Sequence, residues 1–175
     1  MTGRSAGPLV VLVGPPGSGK STIGALLAER LGVAVRDTDA DVERGAGKAI
    51  ADIFVEDGED RFRALEAAAV RDALAEHDGV LALGGGAILA PATRALLAGR
   101  PVIFLDVSLP EAMKRVGLDT SRPLLAINPR RRWRTLMDER RPLYTEVARA
   151  VVETADRTPD EVAQAVLEAL EPTTA

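Results

Sequence analysis

Short apolar runs alternate with longer amphipathic segments along this chain. The runs lie at residues 9–13, 34–36, 80–83, 102–107 and 150–152. Each run has the length of a buried strand, and segments with helical spacing separate them. Strands joined by helical crossovers form a parallel sheet with helices on both faces. The pattern therefore predicts a doubly wound α/β fold.

The amphipathic segments predict the helices of this fold. Helical spacing covers residues 20–31, 39–44, 50–54, 59–76, 91–97, 110–116, 131–144 and 159–170. Gly32 is expected to end the first of these helices, because glycine adopts the left-handed conformation found after helix ends. Thr158 precedes a proline and two acidic residues, which is the pattern of a helix N-terminus.

The length and composition predict one folded domain. The chain has 175 residues, of which 46% are hydrophobic, enough for a single core over about residues 9–170. Residues 1–7 and 171–175 are small or polar without periodicity, so we expect flexible tails. Residues 117–129 mix turn-forming residues with an arginine between two predicted helices. We expect this segment to be a mobile lid.

Charge and residue usage narrow the function. The chain has 22 Lys+Arg against 26 Asp+Glu, a net charge of −4, which argues against a nucleic-acid partner. There is no cysteine, so disulfides and thiolate metal sites are excluded. Neither a signal segment nor an apolar stretch long enough to cross a membrane is present. The sequence predicts a cytoplasmic protein with no membrane partner.

Residues 14–21 read Gly-Pro-Pro-Gly-Ser-Gly-Lys-Ser between the first predicted strand and helix. This is the phosphate-loop pattern G-x-x-x-x-G-K-S in its required context. Glycines let backbone amides surround a polyphosphate, Lys20 adds a positive charge, and the Ser21 hydroxyl can bind Mg²⁺. A glycine-rich turn with an exposed lysine is the alternative, but the flanking strand and helix favour binding of ATP or GTP with magnesium.

Three carboxylates, of Asp37, Asp39 and Asp41, follow the second predicted strand. The carboxyl ends of parallel strands face the ligand crevice, as the phosphate loop does. On an extended backbone, Asp37 and Asp39 would share one side while Thr38 points away. One carboxylate could then hold magnesium and the other a hydroxyl group to be phosphorylated. The alternative is a helix N-cap with acidic residues in the first turn, and we prefer this structural interpretation for Asp41.

Glycines and arginines further along the chain suggest the rest of a site. Gly84, Gly85 and Gly86 follow the third predicted strand, as expected where the backbone approaches a ligand closely or takes a positive φ. The alternative, a tight turn into the next helix, explains one glycine more easily than three. Arg63 and Arg140 lie in different predicted helices, and two guanidinium groups can clamp an anionic substrate. For either arginine alone, a solvated helix face is the alternative.

Other conspicuous residues have structural interpretations. The arginine run at 130–132 points around a helix in different directions, which favours a helix surface. His77, the only histidine, lies at a predicted helix end, where its charge suits the dipole. We expect Trp133 to anchor the core.

Taken in chain order, six motifs resemble the shikimate kinase family over about residues 9–170. They are the phosphate loop, Asp-Thr-Asp at 37–39, Phe-Arg at 62–63, Gly-Gly-Gly at 84–86, Arg-Pro-Leu at 122–124 and Arg-x-Pro-Leu-Tyr at 140–144. The resemblance implies a P-loop fold like that of nucleoside monophosphate kinases, with a five-stranded parallel sheet in the order 2-3-1-4-5. It also implies Mg²⁺-dependent transfer of the ATP γ-phosphate to the 3-hydroxyl of shikimate, in the biosynthesis of chorismate and aromatic amino acids.

The resemblance also implies roles for individual residues. The catalytic residues would be Lys20, Asp39 and Arg122, and the Mg²⁺ site would use Ser21 and Asp37. The residues implied to bind ATP are Gly17, Ser18, Gly19, Lys20, Ser21, Thr22, Arg115, Arg122 and Arg157. The residues implied to bind shikimate are Asp39, Arg63, Gly84, Gly85, Gly86 and Arg140.

Two other functions remain open from sequence. A kinase for another small acid, such as gluconate, would share the loop, the lid and the arginines. A P-loop switch protein that hydrolyses GTP belongs to a different class, and the guanine-reading pattern Asn-Lys-x-Asp is absent. We expect shikimate and ATP as ligands and a monomeric protein.

Overall fold

The computed structural model describes residues 7–116 and 128–171. Its strands are β1 (Val10–Val13), β2 (Val35–Asp37), β3 (Val80–Ala82), β4 (Val102–Asp106) and β5 (Ala150–Glu153). Within the described residues they form one five-stranded sheet in the order β2-β3-β1-β4-β5, and all neighbouring strands are parallel. The predicted α/β class is confirmed, as is the strand order that the family resemblance implied.

Helices connect the strands as the periodicity predicted. They are α1 (Lys20–Leu31), α2 (Thr38–Ala46), α3 (Ile50–Glu56), α4 (Glu59–Glu76), α5 (Pro91–Leu97), α6 (Leu109–Val116), α7 (Pro129–Val147) and α8 (Pro159–Leu170). The helices predicted at 20–31, 59–76, 91–97 and 159–170 have the observed bounds. The others are longer than predicted by one to five residues, and a 3₁₀ helix at Ala87–Leu89 was not predicted.

The sheet separates two hydrophobic layers, and alternate residues of a strand enter opposite layers. Val11 and Val13 of β1 pack with residues of α4, α5 and α7. Val10 and Leu12 pack on the other face with residues of α1 and α8. All four side chains are at most 1% exposed. The phosphate loop therefore begins at the end of a strand that is held rigidly on both faces.

A smaller apolar cluster joins α2, α3 and α4 into one unit. Val42, Ile53 and Phe62 form its buried centre, and the ring centroids of Phe54 and Phe62 lie 4.8 Å apart. This packing fixes the three helices relative to one another. Because α2 follows β2 directly, the unit lies beside the carboxyl edge of the sheet.

Parts of the sequence predictions lie outside the described residues. These are residues 1–6 and 172–175 of the predicted tails and residues 117–127 of the predicted lid; α7 begins at Pro129. None of the helices within the described ranges has both the length and the apolar character needed to cross a membrane.

Candidate active site

The phosphate loop joins β1 to α1 at the carboxyl edge of the sheet. Gly19 stands at the N-cap of α1 with a φ of 91°, a conformation that glycine adopts without strain. In the described structure no side chain caps this helix, and its first turn contains no acidic residue. Because the first amides of a helix carry the positive end of its dipole, this terminus suits a phosphate group.

Lys20 places its charge inside the phosphate loop. Its Nζ donates to the carbonyl oxygens of Gly14 at 2.6 Å and Pro15 at 3.1 Å, and lies 3.5 Å from Ser18 Oγ. Ser18 is buried, whereas Ser21 is exposed in the first turn of α1. A polyphosphate in the loop would meet the ammonium group together with the helix amides.

The Asp37–Asp39 segment differs from its predicted geometry. The expectation of an extended backbone is wrong, because Thr38 already begins α2 and is fully buried. Asp37 is the N-cap residue, and its Oδ1 accepts a hydrogen bond from the Asp39 amide at 2.9 Å. Asp37 and Asp39 nevertheless line the same cavity. Asp41 forms an ion pair with Arg36 at 2.7 Å, a structural role.

The three glycines are needed for close approach and not for conformation. None of them has a positive φ. A Cβ atom on Gly84 would overlap the Asp39 carboxylate, and one on Gly86 would overlap the Arg63 guanidinium. A Cβ on Gly85 would lie 3.2 Å from Pro16 Cδ in the phosphate loop. The glycine loop, residues 84–86, is therefore enclosed by predicted site residues.

Arg63 of α4 and Arg140 of α7 bring positive charge to the same cavity. Arg140 is only 8% exposed, and the described residues provide no carboxylate within ion-pair distance of it. The Nε atoms of Arg63 and Arg140 are buried and have no hydrogen-bond partner in the described structure. Such donors are unusual in a folded protein, and an anionic ligand would satisfy them.

Glu66 is a site residue that the sequence interpretation missed. It is 4% exposed, and its Oε1 accepts a hydrogen bond from Arg63 Nη1 at 2.8 Å. Burial raises the pKa of the Glu66 carboxyl, although the charge of Arg63 opposes the shift. Its position was a usable signal, because Phe62, Glu66 and Val70 lie at four-residue spacing on the buried face of α4.

These groups line a cavity of about 490 Å³ beside the phosphate loop. Its charged lining residues are Asp37, Asp39, Glu43, Arg63, Glu66 and Arg140. Pro16 of the phosphate loop contributes to the wall, as do apolar residues of α3 such as Phe54. A cavity of this size holds a small molecule. Its carboxylates and arginines suit one that carries both hydroxyl groups and a negative charge.

Other predicted residues lie elsewhere. Arg157 is exposed in the loop between β5 and α8 and does not line this cavity. The side chain of Arg115 and the whole of Arg122 lie outside the described part of the chain. The arginine run at 130–132 is exposed, as predicted for a helix surface. His77 Nε2 lies 2.9 Å from the Val80 carbonyl oxygen and 3.2 Å from that of Ala34, a structural position.

A phosphate loop on a doubly wound sheet, beside a cavity with paired carboxylates and buried arginines, defines a P-loop kinase that acts on a small molecule. The family model described as "Shikimate kinase" matches residues 16–171. The chain therefore belongs to the shikimate kinase family, and its activity is transfer of phosphate from ATP to a hydroxyl group of shikimate. This reaction is part of aromatic amino acid biosynthesis.

Individual relatives agree with this assignment. A shikimate kinase of Streptomyces avermitilis is 68% identical over 94% of this chain and 96% of its own length. One of Thermobifida fusca is 57% identical over 95% and 96% of the two chains. The solved structure of the Acinetobacter baumannii shikimate kinase in complex with shikimate has a TM-score of 0.89 at 37% identity, covering 94% of this chain and 93% of that one.

A gluconokinase of Sinorhizobium meliloti has a fold similar to that of this chain. Its structure has a TM-score of 0.58 at 21% identity and covers 95% of this chain and 93% of its own. At this identity the likeness concerns the fold alone. The family model and the relatives above are shikimate kinases, so the gluconate kinase and the switch protein considered from sequence are not favoured.

Proposed function

We propose that the cavity beside the phosphate loop binds shikimate and presents its 3-hydroxyl to the γ-phosphate of ATP. The supporting observation is that Asp39 and the Nε atoms of Arg63 and Arg140, which have no hydrogen-bond partner among the described residues, lie around one cavity that Pro16 of the phosphate loop also lines. A small acid with hydroxyl groups would satisfy both kinds of side chain.

The nucleotide side of the proposal rests on the phosphate loop. The amides of residues 17–22 and the Lys20 ammonium bind the β- and γ-phosphates, since both stand at the uncapped end of α1. Arg122 closes over the phosphates, and Arg115 and Arg157 contact the adenine; these three assignments rest on the family resemblance. The charges of Lys20 and Arg122 stabilise the transition state of phosphoryl transfer.

Ser21 is the proposed Mg²⁺ ligand, and Asp37 is proposed to hold the metal through a water molecule. Both residues line a second, smaller cavity at the start of α1 and α2. The described residues contain no cluster of three or more metal-binding side chains. A hydroxyl and one carboxylate suit Mg²⁺, which binds a few protein oxygens and completes its shell with water and phosphate. When bound, the metal neutralises charge on the phosphates.

Asp39, Arg63 and Arg140 form the proposed acceptor site. The two arginines hold the shikimate carboxylate, and Asp39 binds the 3-hydroxyl and positions or deprotonates it. The backbone of the glycine loop lines the same pocket. Orientation is the main requirement, because phosphoryl transfer passes through a loose transition state that needs little general-base help.

The test is an acceptor assay. Purified protein with ATP and Mg²⁺ is given shikimate, gluconate or a nucleoside monophosphate, and ADP is measured while phosphorus NMR locates the phosphate. Of the three acceptors, we expect only shikimate to be phosphorylated, and the product should be the 3-phosphate. Activity should be lost when EDTA removes the metal. Absence of shikimate-dependent ADP release, or preference for gluconate, would overturn the proposal.

A single substitution tests the role of Asp39. Asp39→Asn should strongly reduce turnover while leaving ATP binding nearly unchanged, because the carboxylate belongs to the acceptor site. Loss of nucleotide binding in this variant would contradict the assignment. A monomeric state and a cytoplasmic location stay predictions of the sequence.

A further inference from the structure

Two fully buried hydroxyl groups hold the glycine loop from different helices. The Gly84 amide donates a hydrogen bond to Thr38 Oγ1 of α2 at 3.3 Å. Tyr144 Oη of α7 donates to the Gly85 carbonyl oxygen at 2.5 Å. Thr38 and Tyr144 are both 0% exposed. Successive residues of the loop are thus tied to two helices.

Each hydroxyl belongs to a helix that carries an acceptor-site residue. Thr38 lies between Asp37 and Asp39 at the start of α2. Tyr144 follows Arg140 by four residues, which is about one turn of α7. Burial raises the pKa of Tyr144 to about 12, so its hydroxyl stays protonated and able to donate even in alkaline solution.

The loop also touches the phosphate loop. A Cβ on Gly85 would lie 3.2 Å from Pro16 Cδ and 3.5 Å from the Gly14 carbonyl oxygen. The ring of Tyr144 packs on Phe104 of β4 with centroids 4.9 Å apart, so its hydroxyl stands on a rigid core. Gly85 is therefore the point where α7, the phosphate loop and the acceptor cavity meet.

We propose that Thr38 and Tyr144 are positioning residues that fix the acceptor site relative to the phosphate loop. This inference rests on the proposed function. Thr38 sets the distance from the glycine loop to Asp39, and Tyr144 sets the distance to Arg140. Misplacement of a reacting group by about 1 Å costs about 100-fold in rate, so two hydrogen bonds at this junction matter for turnover.

The test removes each hydroxyl with little change of shape. Thr38→Val and Tyr144→Phe should each raise the KM for shikimate and lower kcat, together reducing kcat/KM by about 10-fold to 100-fold. The Kd for ATP, measured without shikimate, should stay within about twofold because the phosphate loop is intact. Thr38→Ser retains the hydroxyl and should restore kcat/KM.

Thr154→Val is the matched control. Thr154 is 2% exposed, and its Oγ1 donates to the Asp106 carbonyl oxygen at 2.9 Å, outside the acceptor cavity. This variant should lower the Tm without changing the KM for shikimate. If Thr38→Val and Tyr144→Phe behave in the same way, the positioning role is wrong.

Hydrogen exchange separates this inference from the proposed function. In protein without substrates, the Gly84 amide should exchange faster in Thr38→Val than in the wild type, and unchanged exchange would refute the hydrogen bond on which the inference depends. Absence of shikimate turnover by the wild type would instead overturn the proposed function, and the positioning role that rests on it, while leaving the measured contact in place.

Discussion

The buried guanidinium of Arg140 should destabilise the fold that contains it. Arg140 is 8% exposed, its Nε has no hydrogen-bond partner in the described structure, and no described carboxylate forms an ion pair with it. Its side-chain hydrogen bond with Tyr144 supplies no opposite charge at neutral pH. Burying a charge is unfavourable unless it is paired. Arg140→Met, which keeps much of the volume and removes the charge, should therefore stabilise the protein while it weakens shikimate binding.

The size of both effects follows from the contacts. An unsatisfied buried donor costs about 1–3 kcal/mol, and for a chain of this length each kcal/mol shifts Tm by about 2–4 °C. Arg140 also attracts the Glu66 carboxylate. The gain in stability from Arg140→Met should therefore be smaller at neutral pH and larger once Glu66 is protonated. Loss of a buried partner for the substrate carboxylate costs about 2–5 kcal/mol, or about 30-fold to several thousand-fold in affinity.

Thermal unfolding and steady-state kinetics measure the two effects on the same preparation. The expected result is a higher Tm without ligand and a much higher KM for shikimate. Arg141→Met is the control, because Arg141 is 44% exposed and pairs with Asp106 outside the cavity; it should leave this KM unchanged. A Tm for Arg140→Met below that of the wild type would refute the reasoning about burial, and an unchanged KM would refute the carboxylate clamp.

Three further predictions concern the same pocket. Because burial raises the pKa of Glu66, this group favours folding most below its unfolded-state pKa, and that contribution is lost as the pH rises through its folded-state pKa. In urea titrations, the free energy of unfolding of Glu66→Gln should therefore increase relative to that of the wild type as the pH rises through this range. A difference in unfolding free energy that does not change with pH would contradict this. Gly84→Ala should displace Asp39 and lower kcat/KM for shikimate while ATP binding stays unchanged. If the variant has the same kcat/KM as the wild type, the glycine loop can move to accommodate the methyl group and the prediction is wrong. Gly45→Ala, in α2 with nothing within 4 Å of its added Cβ, should keep activity and raise stability by about 0.5–1 kcal/mol, which thermal unfolding checks.

Much of the fold could be predicted because its signals are local. Buried parallel strands give continuous apolar runs, and helix ends depend on nearby residues such as Gly32, which has the left-handed φ of 66° expected after α1. Thr158 likewise forms the full capping box with Glu161. The start of α2 was misjudged because the choice between strand and helix at Thr38 depends on capping by Asp37 and on a tertiary contact with Gly84.

The candidate site likewise has one part that local sequence predicts and another that depends on tertiary contacts. The phosphate loop is contiguous in sequence, so its motif carries its whole geometry. The acceptor cavity is assembled from α2, α3, α4, α7 and the glycine loop, and no local pattern specifies how close they come. Glu66 was missed for this reason, because a single acidic residue on a helix is usually solvated and only its burial beside Arg63 distinguishes it.

The fold does not by itself select the acceptor, and the buried charges of the cavity should select for a negatively charged one. The Sinorhizobium meliloti gluconokinase shares the fold at 21% identity, so the sheet and its helices do not by themselves select an acceptor. In the proposed acceptor site, Arg63 and Arg140 should favour an acid over a neutral molecule, because a neutral acceptor would leave the buried Nε donors without a hydrogen-bond partner. Rejection of neutral analogues then follows from the desolvation of these arginines, and Arg140→Met should narrow the difference in kcat/KM between shikimate and an analogue without the carboxylate.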